Sequence, residues 1–120
     1  MRTAREHSHR TERVADLIRQ ELARLLERDV KDPRVGFVTV TRVEVTRDLR
    51  NARVAVTILG DGQKKKDSLT GLAAAQGFLR HELAQRLGLR HTPALEFHLD
   101  QSLASEQRVE ELLRQIRQKP

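Results

Sequence analysis

The sequence contains no cysteine, no tryptophan and no tyrosine among its 120 residues, and only three phenylalanines. The absence of cysteine excludes disulfides, cysteine-ligated zinc and thiol catalysis. A core with so few aromatic rings must be built from Leu, Val, Ile and Ala. Apolar runs are only a few residues long, and the first ten residues, MRTAREHSHR, lack the apolar region of a signal peptide. We therefore expect neither a membrane span nor a secretory signal, which is compatible with a cytoplasmic protein.

Basic residues outnumber acidic ones by 23 to 17, and eighteen of the basic residues are arginine. Arginine suits bidentate contacts with phosphate, so the charge favours a nucleic acid or another anionic partner. An ordinary Arg-rich surface with many salt bridges would also explain this excess of basic residues. The scarcity of aromatic residues argues against base stacking as the binding mode. We expect recognition through phosphate, sugar and shape.

The first half of the chain predicts a helix followed by an antiparallel hairpin. Apolar residues recur every three or four positions from Arg10 to about Val30, with Thr11 as the predicted N-cap and Asp32-Pro33 as the end. The β-branched segment 35–45 predicts a strand, and either both of its faces are partly buried or a bulge near residues 39–42 shifts its register. Residues 52–58 alternate between apolar and polar, which predicts a second strand.

The second half predicts a long helix, a strand and a last helix. Residues 60–67 read as an exposed loop, with Asp67 or Ser68 as the N-cap of a Leu-rich helix that ends at Gly88. Residues 95–99 alternate as a strand, and Ser102 or Ser105 is the predicted cap of the final helix. The leucines at 22 and 83 are predicted core residues.

The order helix, strand, strand, helix, strand, helix predicts a two-layer α+β domain. The connection through the Leu-rich helix makes strands 2 and 3 parallel, whereas strands 1 and 2 form an antiparallel hairpin. We expect a three-stranded mixed sheet with helices on one face, and the other face exposed to water. His98 and Asp100 share one face of a strand and could resemble an acid–base pair, but exposed polar alternation explains them better. No catalytic motif is present, so we expect no enzymatic activity.

Several segments, in order along the chain, resemble the ribosome-binding factor A family. They are Arg10-x-x-Arg13-Val14 through Glu21-Leu22, Asp32-Pro-Arg-Val-Gly-Phe-Val-Thr-Val-Thr41, Asp48-Leu49-x-x-Ala52-x-Val54, and the run from Gly77-x-Leu79-Arg80 to Asp100-x-Ser102. Each segment is mostly apolar spacing, but the ordered set extends from about residue 10 to 113. The chain is therefore similar to this family over nearly its whole length.

The resemblance implies a type II KH-like fold in which an Ala-x-Gly kink between two helices replaces the usual Gly-x-x-Gly loop. Residues Ala75, Gln76 and Gly77 match that kink, which would split the Leu-rich helix in two. The family binds the free 30S small ribosomal subunit and assists its late maturation, including processing of the 5′ end of 16S rRNA. It is associated with cold adaptation and is not an enzyme. The resemblance implies an RNA-binding protein in the cytoplasm that needs no cofactor and is a monomer when free.

On this basis we divide the chain into a basic N-terminal tail (1–9), a KH-like rRNA-binding domain (10–101) and a C-terminal helical extension (102–120). The candidate RNA-binding residues are Arg47, Arg50, Lys64, Lys65, Lys66, Ala75, Gln76, Gly77, Arg80, Arg86 and Arg90. Any one of the charged residues could be an ordinary surface charge. Because Arg86 and Arg90 are four residues apart, we expect them to share a helical or near-helical face. Gly77 could instead relieve crowding against a strand.

Two further possibilities follow from the residues alone. His7 and His9 could suggest a metal site, but no third ligand lies nearby, and we predict none. The alternative function is a protein-docking module that uses the exposed sheet face or the last helix. Steep salt dependence of binding to rRNA would favour the RNA-binding function, whereas salt-insensitive binding to a protein would favour the alternative.

Overall fold

The chain follows the predicted order of elements, with the Leu-rich helix divided in two. The computed structural model describes residues 9–28 and 35–118. Their helices and strands are α1 (His9–Arg28), β1 (Val38–Val45), β2 (Asn51–Ile58), α2 (Gly62–Ala74), α3 (Gln76–Leu87), β3 (Ala94–Leu99) and α4 (Leu103–Gln118). Among the described residues, no helix is both long enough and apolar enough to cross a membrane.

Helix α1 buries a single apolar stripe. Ile18, Leu22 and Leu25 on this stripe are completely buried, as the three- and four-residue spacing predicts. The helix begins at His9, so Thr11 is a buried residue of its first turn and not the N-cap. The predicted end of this helix, near residues 30–33, lies outside the described residues, as does the tail before His9.

The three strands form one mixed sheet in the order β1-β2-β3. Strand β1 is antiparallel to β2, and β2 is parallel to β3, which confirms the predicted topology. The register shifts between Val40 and Arg42, so Thr41 is the extra residue of a β-bulge. The apolar residues of β1 occupy even positions before the bulge and odd positions after it, and the bulge, not burial of both faces, explains this change.

The core lies between one face of this sheet and the helices α1, α2 and α3. Leu22 and Leu83 are completely buried, as predicted. All the side chains of the buried cluster are aliphatic. They are Ile18, Leu22, Leu25, Val40, Val43, Val45, Ala52, Val54, Val56, Ile58, Leu72, Leu79, Leu83 and Leu95.

The second face of the sheet is covered at β2, so the prediction that this face is open to water is wrong there. Ala55 and Thr57 alternate with the core residues of β2, yet each is only 2% exposed. Helix α4 contacts β2. Because α1, α2 and α3 occupy the core face, we infer that α4 covers the second face. The small side chains of these two residues leave room for a helix to approach the central strand.

Helix α2 starts several residues earlier than the sequence suggested. Asp61 is its N-cap, and the Asp61 carboxylate accepts a hydrogen bond from the Lys64 amide at 2.9 Å. The predicted loop 60–67 is therefore helical from Gly62 onward, and neither Asp67 nor Ser68 is the cap. The polar run conceals the helix because it contains no apolar side chain before Leu69, and Ser68 is the first buried residue of the helix.

Candidate nucleic-acid interface

An open groove of about 860 Å³ lies at the hairpin end of the sheet. It is lined by residues from α1, the β1–β2 loop, α3 and the loop before β3. Its lining includes four of the predicted RNA-binding arginines together with Arg10 and His91. The four predicted residues are Arg47, Arg50, Arg80 and Arg90. The fold thus gathers positive charge from four separate segments, and we call this surface the basic groove.

The β1–β2 loop holds its two arginines on an internally hydrogen-bonded turn. One carboxylate oxygen of Asp48 accepts from the Thr46 hydroxyl at 2.6 Å and from the Arg50 amide at 3.0 Å. These two hydrogen bonds, the Thr46 one foremost, lower the pKa of Asp48. Leu49 adopts a left-handed φ of 61°, which closes the turn. The acidic residue of the loop is therefore engaged in shaping the turn that presents Arg47 and Arg50.

Arg80 connects α3 to the segment that enters β3. Its guanidinium donates a hydrogen bond to the Thr92 carbonyl at 2.9 Å. Gly88 ends α3 in the left-handed conformation, with φ of 60°, as predicted. This turn carries the exposed residues Arg90 and His91 to the basic groove. Arg80 thus has a structural contact in addition to its position in the groove.

The predicted kink is present, and it lies beside the edge strand β3. Ala75 separates α2 from α3 with φ of −84° and ψ of 0°. The Gln76 side-chain oxygen accepts a hydrogen bond from the Leu95 amide of β3 at 2.9 Å. No side chain caps the N-terminus of α3. Gln76 therefore attaches the kink to the sheet, close to the hairpin end where Leu95 pairs with Ala52.

Gly77 is exposed, and nothing in the structure requires a glycine there. A Cβ atom built at this position would meet no heavy atom within 4 Å, apart from its own helix backbone and chain neighbours. Its φ is not positive. The proposal that Gly77 relieves crowding against a strand is therefore wrong. The open space leaves the backbone at Gly77 accessible from outside.

The remaining candidate residues do not line the basic groove. Lys64, Lys65 and Lys66 lie in the first turns of α2, which starts four residues after the end of β2 at Ile58. They are thus at the end of the sheet opposite the hairpin.

Arg86 also lies apart from the basic groove. Its guanidinium forms an ion pair with Glu82 at 3.4 Å. Because α3 ends at Leu87, Arg90 is outside the helix, and the prediction that the two arginines share a face is wrong.

Sequence reasoning missed three residues around this region, namely Arg10, His91 and Phe78. Arg10 and His91 line the basic groove, and Phe78 is 44% exposed beside Gly77. The only signal for His91 in the sequence is its position next to Arg90. Arg10 could not be placed because it reaches the groove through the packing of α1 on the sheet. The exposure of Phe78 could not be predicted, because the sequence does not show which side of α3 packs on the sheet.

Asp100 has a structural role that separates it from His98. One carboxylate oxygen accepts from the hydroxyl of the bulge residue Thr41 at 2.6 Å, and the other accepts from the Ser102 amide at 2.9 Å. The Thr41 hydrogen bond is the main cause that lowers the pKa of Asp100 to about 2. Asp100 therefore joins β1, the end of β3 and the start of α4. Among the described residues, no group of three or more His, Cys, Asp or Glu side chains is placed to hold a metal ion.

The sheet, the helix pair joined at Ala75 and the flanking helices define a KH-like α+β protein. The family model of ribosome-binding factor A matches residues 10–113. A ribosome-binding factor A from Desulfitobacterium hafniense is 47% identical over 110 residues, covering 92% of this chain and 88% of the relative. The corresponding protein of Desulforamulus reducens is 46% identical over 109 residues, covering 91% of each chain. The chain belongs to the ribosome-binding factor A family.

Solved structures of the family share this fold. The crystal structure of ribosome-binding factor A from Thermus thermophilus matches with a TM-score of 0.66 and 26% identity, covering 74% of this chain and 94% of that one. A homology model of the T. thermophilus factor, fitted into the cryo-EM map of its complex with the 30S subunit, matches with a TM-score of 0.52 and 28% identity. This second match covers 68% of this chain and 90% of the other.

Proposed function

We propose that the protein binds the free 30S subunit and assists its late maturation, including processing of the 5′ end of 16S rRNA. It acts by binding and not by catalysis, as a cytoplasmic monomer without a cofactor, and its contribution is greatest in the cold. The rRNA-binding domain comprises residues 10–101, and residues 102–120 form an extension. The T. thermophilus relative fitted into a 30S complex supports the choice of partner.

The observation that carries this proposal is the convergence of arginines in the basic groove. Arg47 and Arg50 come from a hairpin, Arg80 from α3 and Arg90 from a loop, yet they line one surface. A positive surface of this kind neutralises phosphates and releases their counterions, which drives binding to RNA without base-specific contacts. The shape of the folded rRNA then determines where on the subunit the protein binds.

The kink at Ala75–Gly77 provides a second contact region next to the basic groove. Small residues at positions 75 and 77 let an RNA backbone approach the start of α3, where no side chain caps the helix. The N-terminus of a helix favours phosphate because its amides point outward and its dipole is positive. Gln76 attaches this region to β3. Lys64, Lys65 and Lys66 would contact rRNA only if the bound strand extends to the opposite end of the sheet.

The alternative, a protein-docking module, is supported less well by this fold. Its first version needs an open sheet face, but Ala55 and Thr57 on that face are buried. Its second version uses the last helix, on which Ile116 is 37% exposed. Ile116→Glu tests this version, because a module that docks through the exposed part of α4 would bind its partner more weakly, whereas binding through the basic groove would not change.

Co-sedimentation with purified 30S subunits tests the main proposal. Arg47→Glu and Arg90→Glu each reverse a charge in the basic groove, and Arg114→Glu on α4 is the matched control outside the groove. We expect the two groove variants to bind more weakly. The slope of log affinity against log salt should fall by about one unit for each phosphate that a variant no longer neutralises. Binding by the groove variants equal to that of the control would contradict the proposal.

The maturation step has its own test. Cells without the protein should accumulate 16S rRNA with an unprocessed 5′ end, most strongly in the cold, and primer extension on that end measures the precursor. The native gene should restore processing, whereas a gene encoding both groove substitutions should not. A mature 5′ end in cells lacking the protein would reject this part of the proposal while leaving subunit binding intact.

A further inference from the structure

Helix α3 presents the aromatic ring of Phe78 to solvent. Phe78 is 44% exposed as a residue, whereas Leu79 and Leu83 on the same helix are completely buried. The core is entirely aliphatic and does not include Phe78. Phe78 is thus one of two phenylalanines on the surface, the other being Phe37 at 60% exposed before β1, and its burial does not stabilise the core.

The surroundings of Phe78 are open and carry no uncompensated negative charge from α3. Gly77 precedes it with free space where a side chain would be, and His81, one turn further on, is exposed. Glu82 is the acidic residue one turn away, and its carboxylate is paired with Arg86 at 3.4 Å. An RNA strand would therefore not be repelled from this side of the helix.

Phe78 also lies near the basic groove along the chain and in space. Arg80 lines the groove and follows Phe78 by two residues. Gln76, which precedes it by two residues, contacts Leu95 near the start of β3, where the β1–β2 hairpin also lies. Because residues two apart in a helix face different sides, Phe78 and Arg80 do not share a face, and a strand whose phosphates occupy the groove would have to cross α3 at the exposed Gly77 to reach the ring.

We propose that Phe78 stacks on an unpaired base of the small-subunit rRNA. This inference rests on the proposed function, since it assumes that rRNA occupies the neighbouring groove. A phenylalanine ring stacks on any base, so the contact requires a single-stranded nucleotide but not a particular sequence. The exposed ring thus revises the expectation, drawn from composition, that recognition involves no stacking. Gly77 leaves room for the ribose as the base reaches the ring.

Replacing the ring by an aliphatic side chain tests this proposal. Phe78→Leu keeps the apolar surface and removes the aromatic face. Phe37→Leu is the matched control, because Phe37 is 60% exposed and lies just before β1, at the opposite end of the sheet. We expect Phe78→Leu to weaken binding to purified 30S subunits roughly 5- to 150-fold, with little change in its salt dependence. We expect Phe37→Leu to bind normally.

A second measurement uses the natural absence of tryptophan from this chain. In Phe78→Trp the new indole is the only one in the protein, and stacking on a base should quench its fluorescence when 30S subunits are added. Unchanged emission at saturating subunits, or native affinity of Phe78→Leu, would overturn the inference. If the native protein itself did not bind subunits, the proposed function would fail instead.

The partner of the ring is identified by photocrosslinking. Phe78→p-benzoylphenylalanine, irradiated on the 30S subunit, should crosslink to rRNA. A crosslink to a ribosomal protein would show that this side of α3 docks on protein, and would overturn the stacking proposal.

Discussion

At the scale of the residue, Gly77 separates two explanations that the sequence could not. A glycine inside a predicted helix suggested either close packing or access for a ligand. The structure excludes packing, because a Cβ at this position would meet open space. The residue pattern alone predicted one long helix, and it was the resemblance to the family that correctly placed the division at Ala75–Gly77. Neither gave the direction in which Gly77 faces, since that depends on how α2 and α3 pack on the sheet.

Two substitutions at Gly77 should therefore separate its effect on stability from its effect on binding. Gly77→Ala should increase stability by up to about 1 kcal/mol, because alanine loses less backbone entropy in a helix. Gly77→Leu should also fold normally, yet it should weaken binding to 30S subunits by obstructing the approach of rRNA. Melting by circular dichroism, combined with co-sedimentation, measures both effects.

The comparison with a charge variant makes this test sharper. The weakening caused by Arg90→Glu should shrink as salt rises, whereas the weakening caused by Gly77→Leu should not. Arg80→Glu is a less suitable comparison, because it would remove the hydrogen bond from the Arg80 guanidinium to the Thr92 carbonyl as well as the positive charge. If Gly77→Leu melts at a lower temperature but binds normally once folded, the kink has no role in binding.

At the scale of the element, Asp100 joins three parts of the fold that the sequence describes separately. The pattern of β1 predicted either a bulge or two buried faces, and the position of Asp100 next to His98 suggested a polar strand face. The bulge aims the Thr41 hydroxyl at Asp100, which also binds the Ser102 amide at the start of α4. This connection could not be predicted, because Thr41 and Asp100 lie 59 residues apart.

This contact predicts a specific dependence of stability on pH. The pKa of Asp100 falls from its ordinary 3.8 to about 2 in the folded state. The ionised Asp100 carboxylate therefore stabilises the folded state fully above about pH 4, and this contribution is lost as the pH falls towards 2. Thr41→Val should reduce stability by about 1 kcal/mol at neutral pH. It should also flatten the pH dependence between pH 4 and 2.

Urea unfolding of the native protein and the variant at several pH values measures this difference. Thr41→Ser is the control, because it keeps the hydroxyl donor and should retain the native pH profile. A Thr41→Val profile parallel to that of the native protein would show that Thr41 does not set the pKa of Asp100.

The helix boundaries also show where local patterns fail. The end of α3 at Gly88 was predicted correctly because a left-handed glycine is a local feature. The start of α2 was not, because Asp61 and Asp67 are both suitable caps, and the polar run between them has no apolar periodicity. Only the hydrogen bond from the Lys64 amide to Asp61 identifies the cap.

At the scale of the whole molecule, the sequence named residues of the candidate site but did not show which of them lie together in the fold. Four of the eleven candidate residues line the basic groove, the three kink residues lie beside it, and the other four lie elsewhere. Counting charges along the chain cannot make this division. The hairpin, α3 and the loop before β3 meet only because β3 runs parallel to β2 and so starts next to the hairpin.

The aliphatic core makes the whole molecule sensitive to single truncations. Leu22 on α1 and Leu83 on α3 are completely buried in the same cluster that covers the sheet. Truncation of either one to alanine removes apolar contacts and leaves a cavity, so each should cost roughly 2–5 kcal/mol. For a domain with a total stability of about 5–15 kcal/mol, this cost should lower Tm by about 10 °C or more.

Leu17→Ala is the matched control for these truncations. Leu17 lies on the same helix as Leu22 but is 40% exposed, so its truncation should cost much less and shift Tm by only a few degrees. At a temperature where the core variants remain folded, they should bind 30S subunits normally, because neither leucine lines the basic groove. Native-like melting of both core variants would refute the assignment of the core. A folded core variant that does not bind would instead indicate that the groove depends on the packing of α1 against α3.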